Sequence, residues 1–177
     1  ELDMAVAEDF SFEERQEQES MVLESVDRFL DKDVAPYAHD LEADDTYPQE
    51  IVDKMVDMGL FGATIGAEYG GLGLSVSTYA KIVERVSTVW MSVSGIFNSH
   101  LIMAAAVERA GTDEQKAKWL PKFASGELRG GIALTEPDAG TDLQGIRTRA
   151  DKSGNGYSLN GAKTCLLYTS DAADDDT

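Results

Sequence analysis

Between Val89 and Ala110 the chain is apolar almost all the way round a helical wheel, with Trp90, Ile96, Phe97, Leu101, Ile102, Met103 and a run of alanines. A helix with one apolar stripe lies on a surface, whereas one that is apolar on every side has to be enclosed by other elements. This run therefore predicts the central, buried helix of a helical assembly.

The flanking sequence supplies helices that could surround it. Ser11 and Glu14 stand at capping-box spacing, and Val22, Val26, Phe29 and Leu30 then share one helical face. Pro36 is expected to end or kink that helix. Pro48 suits a first helical position, with Ile51, Val52, Met55 and Met58 as the apolar stripe and Gly59 placed to end it. Gly66 to Gly73 reads as a glycine-rich connector. Ser75 or Ser77 then caps a helix whose buried side carries Ile82, Val83 and Val86. Gly111 stops the central run, and Thr112 with Gln115 forms a second capping box ahead of Trp119, Leu120 and Phe123.

At Gly126 the period changes. Gly130 to Leu134 is short and apolar, which favours a strand, and Ile146 to Ala150 can pair with Tyr157 to Leu159 across Ser153 to Gly156. Asn160–Gly161 is a further turn signal. The expected class is mainly α with a partial β domain: helices over residues 1–127, the start of a β domain over 128–164, and a tail over 165–177.

Charge narrows the partners. The 177 residues carry a formal charge of −18, which argues against nucleic acid, since phosphate binding needs clustered Lys and Arg. No uninterrupted apolar run reaches the roughly 18 residues of a membrane span. The chain opens on Glu1 with neither a basic nor an apolar leader, so no targeting segment is expected. Cys165 is the sole cysteine, and a reducing compartment, a cytoplasm or a mitochondrial matrix, is expected.

Few residues stand out as chemistry. Gly70, Gly71 and Gly73 lack the third glycine of a dinucleotide fingerprint, because Val76 occupies that place and no strand precedes it. His100 has no Cys or second His at ligand spacing, so it reads as a packed core histidine and no metal is expected; His39 lies in an acidic, exposed-looking stretch. The exception is Thr135–Asp142, a polar loop leaving an apolar run. Thr135 can aim a hydroxyl into a cleft, Gly140 permits a positive φ and close approach, and the N–H groups around Gly140 and Thr141 can form an anion-binding nest if Asp142 turns away to cap the loop.

Taken in order, these motifs resemble the acyl-CoA dehydrogenase family of flavoproteins. Its signature is met by Thr135, Glu136, Ala139, Gly140, Thr141 and Asp142, with Gly145 completing it. Gly111 to Gly126 (GTDEQKAKWLPKFASG), Met58 to Gly62 and Glu68 to Ser75 are similar to segments that precede the signature in that family. The resemblance implies a helical N-terminal domain, then a β-barrel domain, with FAD held where both meet a C-terminal helical domain. It implies that Thr135 hydrogen-bonds the isoalloxazine ring, that the backbone near Ile132 and Leu134 lines it, and that Gly140 and Thr141 approach the cofactor. Thr141 would also reach the acyl-CoA, with Gly95, Ser99 and Ile102 along the acyl channel. It further implies oxidation of an acyl-CoA to a trans-2-enoyl-CoA, transfer of electrons to an electron-transfer flavoprotein, and a homotetramer. Acyl-CoA oxidases, nitroalkane oxidases and some flavin monooxygenases share the fold and are the alternatives. A non-enzymatic helical interaction protein is a more distant one that leaves the signature unexplained.

The resemblance stops after Asn160, Gly161 and Lys163, where the family continues with Trp, Ile and Thr and this chain has Cys165, Leu166 and Leu167. The tail from Cys165 can be encoded by a transposon-end sequencing adapter, and it is expected to be non-native. The family's catalytic glutamate is expected in a domain beyond this stretch, so no catalytic residue is assigned here. This chain alone is expected to be inactive and to bind FAD weakly or not at all.

Overall fold

The computed structural model describes residues 12–164; the Ser11 cap and the tail from Cys165 lie outside them. Helix α1 (Phe12–Phe29) runs into a π-helical turn, Leu30–Val34, and then α2 (Ala35–Ala43). Pro36 lies in the first turn of α2, where its missing N–H costs nothing, so the chain bends through the wider turn instead of stopping. Helix α3 (Gln49–Asp57) starts one residue later than expected, with Pro48 at its N-cap. Gly59 ends the segment with φ +74°, a left-handed conformation that a side chain would resist.

The glycine-rich connector folds back on residues 62–65. Leu72 N–H donates to the Gly62 carbonyl (2.8 Å), Gly73 N–H to Ile65 (2.9 Å) and Leu74 N–H to Ala63 (2.8 Å). A Cβ on Gly71 would stand 2.1 Å from the Ile65 oxygen, so this glycine serves backbone-to-backbone packing.

Helix α4 (Val76–Ala110) is capped by Ser75, whose hydroxyl accepts the Thr78 N–H. It contains a break at Trp90, which has φ −155° and ψ 101°. The break folds the helix back on itself. Tyr79 donates to Asn98, 19 residues on, although a straight helix would separate them by roughly 28 Å. Ser87 bonds Ser94 at 2.9 Å across the bend. Trp90 is buried there, and its indole N–H donates to Glu42 of α2. The expected central helix is thus the second arm of a hairpin, residues 91–110. The 35-residue span is apolar and long enough to cross a membrane by length and composition, but it is not one straight rod.

Both arms contribute to one core. Ile82, Val86, Val93, Phe97 and Leu101 pack with Val26, Leu30, Val34, Val52, Met55, Phe61 and Leu120. Helix α4 lies against α1 and α5 (Asp113–Ala124), and α5 opens with the expected Thr112–Gln115 capping box. One side of the central arm stays open, because Met91 is 68% and Ile102 46% exposed.

After Gly126 the chain is largely irregular. Gly130–Leu134 forms no strand, which corrects the sequence expectation: a strand needs a hydrogen-bonding neighbour, and no described strand lies beside it. The hairpin forms, though later than expected. Strand β1 (Arg149–Ser153) pairs antiparallel with β2 (Gly156–Asn160) in the register Arg149↔Asn160 to Ser153↔Gly156. Residues 146–148 are left to other work.

Candidate functional site

The polar loop is built on a tight turn. Glu136 and Ala139 exchange both backbone hydrogen bonds, at 2.9 and 3.1 Å, around Pro137 and Asp138. Proline presets the first central position of such a turn. The pairing places Thr135 and Gly140 on the two flanks of the bridged pair, so the turn brings the two together. Asp142 then caps a short 3-10 turn, Leu143–Gly145, by accepting the Gln144 N–H (3.1 Å), as the nest reading required.

What the loop leaves unused defines its chemistry. The Thr135 and Thr141 hydroxyls, and the Gly140 and Thr141 N–H groups, make no hydrogen bond among the described residues. Thr135 is half-buried and Thr141 exposed. Ile132 and Leu134 are 38% and 40% exposed on the segment leading in. A Cβ on Gly140 would meet nothing within 4 Å. Gly140 does not adopt a positive φ, however, so close approach, not backbone freedom, is what its small size offers. Open hydroxyls, open N–H donors and exposed apolar side chains are a donor set that fits a flat heteroaromatic ring with a polar edge and a phosphate tail.

Gly95, Ser99 and Ile102 lie four and three residues apart on the second arm of α4, a spacing that puts them on one helical stripe. Gly95 and Ser99 are half-buried and Ile102 is exposed, whereas Phe97, His100 and Leu101 beside them are buried. The same arm touches the segment leading to the loop: Gly130 N–H reaches His100 Nδ1 at 3.4 Å, and Met103 Cε lies 3.1 Å from where a Gly130 Cβ would be. The apolar stripe and the polar loop are therefore joined through Gly130.

His100 is the packed histidine expected. Its Nε2 meets the Phe123 carbonyl at 3.0 Å, and its ring sits edge-on to Phe61 (5.2 Å) and Phe123 (5.7 Å). With Nδ1 facing an N–H donor, Nε2 carries the proton. Burial lowers its pKa, and the nearby Arg129 charge pushes in the same direction.

Glu136 of the motif and Lys163, well after it, carry more than the sequence suggested. The Glu136 side chain is buried and accepts N–H groups from Arg147 (2.7 Å) and Thr148 (2.9 Å), and the Lys163 ammonium at 3.0 Å. The buried Thr148 hydroxyl beside it, which has no partner of ordinary geometry, acts with these donors to hold the carboxyl at about 2. Lys163 also donates to the Leu134 carbonyl at 3.0 Å. A glutamate defaults to the surface, so only its place in the motif, with a lysine in the next one, hinted at this pairing.

Comparison with known proteins agrees with this architecture. Residues 16–127 match the family model described as the acyl-CoA dehydrogenase N-terminal domain. The (2S)-methylsuccinyl-CoA dehydrogenase of Cereibacter sphaeroides is 40% identical over 153 residues, covering 86% of this chain and 28% of that protein. The structure of butyryl-CoA dehydrogenase from Megasphaera elsdenii superposes with a TM-score of 0.77 at 31% identity, covering 88% of this chain and 41% of that one. An acyl-CoA dehydrogenase complexed with FAD from Bacillus anthracis gives a TM-score of 0.72 at 31% identity, over 90% of this chain and 27% of that one. The chain thus spans well under half the length of these relatives. With residues 16–127 matching the family model and relatives of this identity covering most of its length, the chain belongs to the acyl-CoA dehydrogenase family.

Proposed function

We propose that this segment serves an FAD-dependent acyl-CoA dehydrogenase, supplying one wall of the flavin site and part of the acyl channel. The supporting observation is the set of open donors, the Thr135 and Thr141 hydroxyls and the Gly140 and Thr141 N–H groups, in a loop matching the family signature. FAD, when bound, supplies the acceptor for the hydride leaving the β-carbon of an acyl-CoA as it becomes a trans-2-enoyl-CoA. The residues here bind and orient. Thr135 donates to the polar edge of the ring and Ile132 and Leu134 cover it, while Gly140 and Thr141 give N–H groups to the cofactor. Thr141 also reaches the thioester, and Gly95, Ser99 and Ile102 exclude water along the acyl chain. No residue of this chain is assigned as the base that takes the α-proton.

The electron acceptor is proposed to be an electron-transfer flavoprotein, and the assembly a homotetramer in a bacterial cytoplasm or mitochondrial matrix. Mixing the complete, flavin-loaded protein with acyl-CoA substrates without oxygen tests the reading. Bleaching of the flavin band followed by slow reoxidation in air supports a dehydrogenase. Fast reoxidation favours an oxidase of the same fold, and no bleaching with any acyl-CoA removes both.

A further inference from the structure

Glu136 belongs to the cofactor loop yet points away from its open side. Its carboxylate gathers donors from two other stretches of chain: the Arg147 and Thr148 N–H groups just before β1, and the Lys163 ammonium after β2. That ammonium reaches across to the Leu134 carbonyl, one residue before Thr135. The Thr135 carbonyl itself accepts the Thr164 N–H at 2.9 Å. Thr135 is therefore held on both sides and at its own carbonyl by groups that meet, directly or through Lys163, at one buried carboxylate.

Charge and shape both matter at this point. A buried carboxylate is stable only if its oxygens are satisfied, and here both accept. A glutamine of the same size would turn an NH2 toward one of these donors. The lysine places two of its donors on two acceptors, Glu136 and Leu134. Thr148 packs so closely that a Cβ on Gly161 would stand 2.1 Å from its hydroxyl, which confines the segment before β1 that carries the Thr148 donor.

We propose that Glu136 is a positioning residue for the cofactor: by drawing Arg147, Thr148 and Lys163 to one point, it holds the Thr135 hydroxyl and the Leu134 main chain in the geometry that meets the flavin. The cofactor half of this proposal rests on the FAD reading above. A donor that shifts by about 1 Å loses most of its value to a bound ring, so the loop has to be fixed before the cofactor arrives.

The test is amide hydrogen exchange on the 177-residue chain and its Glu136→Gln variant, read at Arg147, Thr148 and Thr164 and at α5 as an internal control. Exchange is expected to quicken about ten-fold or more at all three amides, with α5 unchanged. Thr164 decides, because it does not touch Glu136 and its acceptor is Thr135. A Thr164 amide as protected as before overturns the positioning role and leaves Glu136 with a local one. Lys163→Met, which keeps the stem and removes the ammonium, provides the same reading if the first variant does not fold. Flavin titration of the complete protein gives the second readout: either variant is expected to weaken FAD binding about ten-fold. A loosened Thr164 with unchanged FAD affinity overturns the cofactor half. An unmutated protein that binds no FAD refutes the functional reading itself, while the Thr164 exchange still supports or overturns positioning of the loop.

Discussion

Replacing His100 by phenylalanine isolates the link between the helical core and the segment that carries the signature loop. Phenylalanine keeps the ring volume and the edge contacts to Phe61 and Phe123 but removes both hydrogen bonds. The loss is modest for three reasons. The Phe123 carbonyl keeps the Gly126 N–H at 3.1 Å, so it is not orphaned. The Gly130 contact is long, at 3.4 Å, and Gly130 is exposed, so its N–H can turn to water. A buried phenylalanine also carries no polar group to desolvate. One net hydrogen bond, about 1 kcal/mol, is therefore the expected cost at neutral pH. The pH dependence is more telling. Burial lowers the folded pKa of His100 below the ordinary 6.5. As pH falls through that value the unfolded chain takes the proton first, so stability present above it is lost below it. The limiting slope is about 1.4 kcal/mol per pH unit. Urea unfolding followed by circular dichroism at about pH 7.5 and about pH 5.5 measures this. The gap between the two proteins should close or reverse at the lower pH. A gap that stays constant refutes the assignment of His100 as a neutral, buried link.

Other positions carry separate expectations. Thr112→Ala removes the side-chain half of the α5 capping box and should cost about 0.5–2 kcal/mol in urea unfolding, with α5 fraying first. Gly71→Ala drives a methyl into the Ile65 carbonyl and should cost more than about 2 kcal/mol, whereas Gly140→Ala meets open space at an ordinary φ and should change stability by less than about 0.5 kcal/mol. The same Gly140→Ala change should weaken FAD binding in the complete protein, because the added methyl stands where the cofactor is proposed to approach. Glu136 is held at about 2, below the ordinary carboxylate value of 4.5, so its contribution is present above 4.5 and lost as pH falls toward 2. An acid titration of the Arg147 and Thr148 amide signals should show that loss, and Glu136→Gln should abolish it.

Local signals were legible wherever one or two residues decide the geometry. The Thr112–Gln115 box, the Ser75 cap and the Gly59 stop each satisfy an end group or supply a positive φ by themselves. The bend at Trp90 was not legible as a hairpin, since neither glycine nor proline marks it; it is held by the indole's bond to Glu42 and by core packing. Gly130–Leu134 has the composition of a strand but no described neighbour, so composition could not complete it. In the site, Thr135, Gly140 and Thr141 were singled out through the motif, whereas the sequence left open whether Asp142 turns away, and the structure shows it capping the loop. Glu136 was not, because its role depends on Arg147, Thr148 and Lys163 arriving from later in the chain.

The open donors of the Thr135–Asp142 loop are proposed to hold a flavin. FAD titration of the complete protein, read by quenching of flavin fluorescence and repeated with Thr135→Val, addresses this directly. Saturable binding that weakens roughly 3–10-fold in the variant, the equivalent of one lost hydrogen bond, is the expected result. No saturable binding, or binding that neither Thr135→Val nor a further Thr141→Val change alters, contradicts it.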